Sequence, residues 1–348
     1  MICCENCFKD SELVNIIRGL KVKGDCDVCN SRNVFIYDSI RYDDLKNVIY
    51  NLIDIYSPAD DSSKSLLINE LYDRWELFNV EIELANKIIN DLFVDTIRNN
   101  PQLFNTSVKI PEESDPSYLE KNSLFKQHSW DDFSEEIISY TRFHTEIINK
   151  KVFDEFCNYS RITIKKGTKF YRARLSNKDG YPPSEMGPPP RDKATSGRVN
   201  PLGIPYFYLS DSEVTTIYET RAKQHDYISI AEFELVEDIE VIDFTILDKT
   251  SPFSVEDITS YALNKIHLNR VSSEIAKPLR RTDSQLQYLP TQYLVDFIKW
   301  KGNSGIKFKS SLYPAGTNYT VFNAELFKCN SVKVYDVAKV DYYFELVT

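Results

Sequence analysis

Two sets of residues carry chemistry on type and spacing alone. The first is a pair of C-x-x-C knuckles, Cys4–Cys7 and Cys26–Cys29, with 18 residues between them. Each knuckle turns two sulfurs toward one point. Two knuckles supply four thiolates at the distance tetrahedral Zn²⁺ requires, about 2.3 Å. Four thiolates leave no open coordination position, so a zinc here would be structural. Lys21–Asp25 and Asn30–Ser31 have the composition of the turns such knuckles need. Cys3 competes with Cys4, but Cys4 gives the clean spacing. Cys157 and Cys329 read as isolated core residues. The second set lies in and after "SGRVNPLGIPYFYLS" (196–210): Arg198 among Gly and Pro, Tyr206 and Tyr208 in an apolar run, and Glu219 farther on.

Residues 205–210 read as a strand and 211–223 as a helix, with Ser210 and Glu213 as a capping box. Alternation puts Tyr206 and Tyr208 on one strand face. Two helical turns bring Glu219 back toward that strand. The Arg198 fork suits phosphate oxygens, and a tyrosine ring offers a face to a flat heterocycle. A carboxylate can bind a ribose diol and stabilise positive charge growing on a sugar ring. Together they describe a site for a nucleotide whose glycosidic bond is cut. Taken alone, the same residues also read as a loop arginine paired with an acid, two core rings and a solvated glutamate.

The surrounding elements set the frame. The 348 residues suffice for two domains and a small module, and 42% hydrophobic residues can fill real cores. A net charge of −10 argues against a nucleic-acid backbone as the default partner. No apolar run approaches the roughly 20 residues that span a bilayer. The opening MICCENC lacks the layout of a signal peptide, so a cytoplasmic location is expected, with no membrane. Residues 1–40 are expected to form a zinc ribbon. Residues 41–150 read as helical, with apolar periodicity over 62–78, 83–98 and 129–149, the last capped by Ser129. From about 151 the pattern becomes mixed. Strands are expected near 168–175, paired over 226–244, and near 305–310, 319–323, 331–336 and 340–347. Helices are expected near 253–270 and 289–300. The Pro- and Gly-rich loop 179–198 reads as a lid or as a bridge between elements.

Four stretches bear a family resemblance: "FYRAR" (170–174), "GRVNPLGIPYFYLSDSEVTTIYETR" (197–221), "YLPTQYLVDFIK" (288–299) and "GIKFKSSLYPAGTNYTVF" (305–322). In this order they resemble the RES domain family, named for Arg, Glu and Ser. The resemblance implies an α+β chain with a C-terminal, ADP-ribosyltransferase-like mixed sheet over 151–348. It implies NAD⁺ as substrate and Arg198, Tyr208, Glu219 and Ser310 as catalytic residues. Ser311 stands beside Ser310 as an alternative, because "KSS" replaces a commoner Pro-Ser pair. Arg172, Arg174, Tyr206 and Asn318 are candidates for binding the dinucleotide. Family members act mainly as toxins that destroy NAD⁺ by hydrolysis or phosphorolysis, often beside an antitoxin, and some transfer ADP-ribose to protein.

Residues 41–150 are similar to the HEPN-like domains found fused to RES domains. HEPN nucleases use Arg-x4–6-His. Among His128, His144, His225 and His267 none has that spacing from an arginine, Arg221–His225 having three residues between. The helical segment therefore reads as a non-nuclease: a sensor, a dimerisation surface for a homo-oligomer, or a dock for an inhibitor. Two other readings remain: a nucleic-acid-binding regulator acting through the zinc ribbon, and a domain that binds ADP-ribose without cutting it.

Overall fold

Period-two alternation in the C-terminal half becomes one mixed sheet. The computed structural model describes residues 1–59, 65–278, 284–341 and 346. They group into two units, Met1–Ser123 with Thr250–Asn264, and Leu124–Lys249 with Lys265–Thr348. Residues 124–150, expected within the helical segment, thus belong with the sheet.

In the first unit, β1 (Ile2–Cys4), β2 (Lys23–Gly24) and β3 (Val34–Asp38) form a small antiparallel sheet with β3 central. Strands β4 (Ser57–Pro58) and β5 (Val108–Lys109) form a second pair. Helix Ser11–Gly19 starts at Asp10, whose carboxylate accepts from the Glu12 and Leu13 amides. Helix Ile82–Leu92 buries Ile88, Ile89 and Leu92 of the expected apolar stripe, with Ala85 and not Leu84 beside them. It breaks at Phe93 and resumes as Val94–Asn99. Of the helix expected over 62–78, Leu67–Asn69 is followed by a π-helical turn, Glu70–Arg74; residues 62–64 lie outside the described residues.

The second unit opens with the helix Ser129 was expected to cap. Ser129 and Asp132 form a reciprocal capping box, and the helix runs Trp130–Glu135 and then one π-turn to Tyr140. It does not reach 149: Thr141 is extended, and the Thr145 hydroxyl folds back onto the Glu136 carboxylate. A separate helix, Lys150–Tyr159, follows with Asn149 as its cap.

Eight strands follow: β6 (Arg161–Ile164), β7 (Lys169–Ser176), β8 (Phe207–Ser210), β9 (Tyr227–Leu235), β10 (Ile239–Asp243), β11 (Gly305–Lys309), β12 (Thr317–Val321) and β13 (Phe327–Asp336). Their order is β13-β9-β7-β8-β12-β11-β10-β6, antiparallel except for β10 beside β11. The pairing expected within 226–244 does not occur. Both edges of β9 are occupied by β7 and β13, so β10 pairs with β6 and β11 instead. The strand expected near 340–347 lies largely outside the described residues. Cys157 is buried, as expected of a core residue. Cys329 is only half-buried, on edge strand β13.

Strand alternation divides the central sheet into two faces. Phe207 and Leu209 of β8 point into a core with Phe170, Phe233 and Val321. Phe207 meets Phe233 edge-on at 4.9 Å between ring centres. Tyr208 and Ser210 take the opposite face, directly across from Thr320 and Asn318 of β12. That face carries the site.

Candidate functional site

Helix Glu213–Thr220 follows β8 and is tied to β7 through Thr216, whose hydroxyl accepts from the Ala173 amide at 2.8 Å. Its cap is Ser212, which accepts from the Thr215 amide. The Ser210–Glu213 capping box expected from sequence is not formed. Ser210 is still in β8, and its hydroxyl donates to Asn318 Oδ1 at 2.8 Å. Arg221 ends the helix in a left-handed conformation, φ 50°. Glu219 therefore occupies the last turn, facing the strands.

The carboxylate is held from two directions. Ser310 Oγ donates to Glu219 Oε1 at 2.6 Å, and Asn318 Nδ2 donates to the same oxygen at 2.7 Å. Ser310 lies just past β11 and is 4% exposed; its oxygen accepts from the Leu312 and Tyr313 amides at 3.3 and 3.0 Å. Ser310, not Ser311, reaches the carboxylate, while Ser311 lines the open cleft beside it. The chain Ser210–Asn318–Glu219 thus links three separate elements. Both donors use Oε1, which orients the carboxylate and presents Oε2.

The cleft has a volume of about 610 Å³ and is lined by Arg172, Arg198, Tyr206, Tyr208, Glu219, Arg221 and Lys277, among others. Arg198 is 7% exposed. Its Nη1 lies 4.0 Å from Glu274 Oε2, and its guanidinium stands 5.3 Å from the Tyr288 ring centre. The other oxygen of Glu274 meets Arg270 at 3.3 Å and Lys277 at 3.4 Å. Arg172 donates from Nη1 to the Tyr208 carbonyl at 3.0 Å. Its Nε is buried and has no hydrogen-bond partner among the described residues. Burial, and then repulsion from Arg174, pull the Arg172 pKa down to about 10, so it stays cationic at neutral pH.

Two expected binding residues behave differently. Tyr206 lines the cleft, but its ring packs on Phe322 at 4.8 Å and under the Lys299 ammonium at 4.8 Å. Arg174 is not among the cleft-lining residues. It donates to the Glu185 carbonyl and covers the Tyr181 ring at 4.2 Å.

Sequence reasoning missed the residues that hold the Arg198 loop. Helix Leu289–Trp300 meets this loop with its first turn. Thr291 Oγ1 donates to the Arg198 carbonyl at 2.5 Å. Gln292 Nε2 donates to the Gly197 and Asn200 carbonyls at 2.7 and 3.1 Å and to Ser196 Oγ at 3.0 Å. Both side chains are almost fully buried. The available signal was an adjacent Thr-Gln pair set between Leu289-Pro290 and Leu294-Val295, since amides in such an apolar setting need partners.

The four expected metal ligands also converge. The Sγ atoms of Cys4, Cys7, Cys26 and Cys29 all lie within 4.8 Å of one another. Sulfur separations are 3.8 Å for Cys4–Cys7, 3.4 Å for Cys4–Cys29 and 3.6 Å for Cys7–Cys26. Four sulfurs at about 2.3 Å from one tetrahedral centre stand about 3.8 Å apart, so the donor set fits a metal ion. Lys21 and Asn30 turn the chain through positive φ, 56° and 59°. Cys3 is buried outside the cluster, opposite Tyr37 in the sheet.

Comparison with known proteins agrees with the four sequence stretches. No curated protein matches the chain. A chain of the crystal structure of the M. tuberculosis MbcT–MbcA toxin–antitoxin complex is 14% identical, with TM-score 0.33 over 53% of this chain and 93% of that one. The model of the RES domain matches residues 169–345, just over half of the sequence. With this match beside the converging Arg198, Glu219 and Ser310, the chain belongs to the RES domain family.

Proposed function

We propose that the cleft cleaves NAD⁺ at the nicotinamide–ribose bond, and that the protein is a RES-type toxin that depletes NAD⁺ in the cytoplasm. The observation that carries this reading is the Glu219 carboxylate, oriented by Ser310 and Asn318, in one cleft with Arg172 and Arg198. Arg172, Arg198, Arg221 and Lys277 put four cations on the cleft wall of a chain with net charge −10. A cationic Arg172 on the cleft wall suits an anionic ligand. A dinucleotide diphosphate supplies that charge. Family membership supports NAD⁺ as the dinucleotide and an antitoxin as the regulating partner.

In this mechanism Arg172 and Arg198 grip the diphosphate and Tyr208 flanks the nicotinamide. Glu219 Oε2 faces the nicotinamide ribose. The C1′–N bond breaks with its electron pair moving to the pyridine nitrogen, which neutralises the departing ring. Positive charge develops on the ribose and is stabilised by Glu219. Water then adds at C1′ and releases its proton to bulk solvent, or inorganic phosphate adds through an ionised oxygen with no proton to lose. Cys4, Cys7, Cys26 and Cys29 would hold a zinc ion whose role would be to fix the N-terminal fold, apart from this step.

The test is nicotinamide release from NAD⁺ by the purified protein, with and without inorganic phosphate. Glu219→Gln keeps the Oε1 contacts and removes the charge. It should lower kcat by about 10² to 10⁴ while the protein keeps its native circular-dichroism spectrum. Wild-type protein that leaves NAD⁺ intact, or a Glu219→Gln variant with normal turnover, overturns the reading.

A further inference from the structure

Asn200 stands between two of the residues assigned to the dinucleotide, and its hydrogen bonds have a fixed direction. The side chain is 5% exposed. Its Nδ2 faces the carbonyls of Thr195, Pro201 and Ile204 at 2.9, 3.3 and 3.3 Å. Carbonyls only accept, so this end of the amide must be the NH₂ group. The opposite end, Oδ1, therefore points to Tyr208 and can only accept. Tyr208 Oη, at 2.5 Å, must be the donor. A phenol has one proton, and Asn200 takes it.

The same cage carries Arg198. The Asn200 carbonyl accepts from Gln292 Nε2 and from the Gly197 amide at 3.0 Å, closing the turn around Arg198. A Cβ on Gly197 would lie 2.5 Å from Asn200 Oδ1 and 3.1 Å from Tyr208 Oη. Only glycine lets the loop close over this contact.

We infer that Asn200 is a positioning residue that locks the Arg198 loop to the Tyr208 ring and commits the phenolic proton, so that Tyr208 serves the dinucleotide through its ring and not as an acid. This rests on the proposed function for what the cleft binds, but the lock itself does not. A nicotinamide leaving group needs no protonation at its ring nitrogen, which fits a tyrosine with no proton to give.

The full-length protein tests this in two ways. Asn200→Ala and Tyr208→Phe each break the same hydrogen bond. Each should raise KM for NAD⁺ about threefold to tenfold, with most of the loss in KM. The double variant should be no worse than the poorer single variant. Losses that multiply overturn the proposal, as does a Tyr208→Phe variant whose loss is in kcat and matches that of Glu219→Gln. Proton NMR of the free protein reads the lock without any activity. A slowly exchanging phenolic proton should be present in the wild type and absent in both variants. Its absence from the wild type, or its persistence in folded Asn200→Ala, refutes the lock. Should Asn200→Ala not fold, Asn200→Ser and Tyr208→Phe complete the same cycle. Wild-type protein that shows this proton but leaves NAD⁺ intact would count against the proposed function alone.

Discussion

Asn318→Asp is the sharpest single perturbation of the site. It keeps size and shape but replaces the NH₂ that donates to Glu219 Oε1 at 2.7 Å with a second carboxylate oxygen. Two like charges at that separation repel by about 6 kcal/mol at an effective dielectric of 20. Movement apart relieves much of this. Even about 2 kcal/mol remaining exceeds one pH unit, which is about 1.4 kcal/mol. The pair therefore keeps one proton well above the ordinary carboxylate range. While that proton is held, the pair carries a single charge, as in the wild type, and a hydrogen bond to Glu219 survives. Once it leaves, the carboxylates separate and Glu219 loses its orientation. The folded pKa is raised above the unfolded value. The variant should thus come nearest wild-type stability below the unfolded carboxylate pKa and lose stability as pH rises through the raised folded pKa. Nicotinamide release should fall over the same window. Asn318→Ala, which removes one charge-assisted bond worth about 1.5–3 kcal/mol, should lose activity without a new pH dependence. Rates and melting temperatures from pH 4.5 to 8.5 decide. A parallel pH profile for Asn318→Asp and wild type would refute the claim that Asn318 works as the donor to Glu219.

The remaining predictions concern the supports of the site and the N-terminal cluster. Thr291→Val deletes the hydroxyl that holds the Arg198 carbonyl at 2.5 Å; a loss of about 1 kcal/mol in denaturant unfolding and a raised KM for NAD⁺ are expected, and unchanged values for both count against the clamp. Cys26→Ser or a strong chelator should release one equivalent of zinc per chain by elemental analysis and unfold the Met1–Ser123 region, because structural zinc contributes about 10–16 kcal/mol in small sites. A metal-free protein with the same melting curve would defeat that role.

What could be read from sequence follows the range of the forces involved. The Cys4–Cys7 and Cys26–Cys29 spacing is local geometry, and the four sulfurs meet where the spacing put them. The same holds for the Ser129 cap, the strand at Phe207–Ser210 and the helix that presents Glu219. Errors arose where a distant partner outcompeted a local one. Ser210 looks like a helix cap beside Glu213, but Asn318, 108 residues away, claims its hydroxyl. Residues 226–244 look like a hairpin, but β7 and β13 take both edges of β9. Arg174 shares alternation with Arg172, yet the loop carrying Glu185 and Tyr181 draws it away. Asn200, Thr291 and Gln292 were invisible as a unit because no period joins positions about 90 apart.

The way Glu219 is held bears on why the chain uses serine and asparagine there. Among the described residues the carboxylate makes no ion pair; its partners are the neutral donors Ser310 and Asn318. An arginine would orient it as well but would also cancel its field. Neutral donors fix the oxygen while leaving a full negative charge to act on a cation forming nearby. The cations gather elsewhere on the cleft wall: Arg198 and Lys277 share the Glu274 carboxylate, and Arg172 is anchored on the Tyr208 carbonyl. The single negative charge of Glu274 faces three cations, Arg198, Arg270 and Lys277, so it holds Arg198 in place without cancelling the positive field. On the proposed reading, the ligand of such a wall carries an anionic group beside these cations and becomes positive at its sugar beside Glu219 only as its bond breaks. That arrangement would favour the transition state over the bound substrate, the condition for catalysis rather than storage.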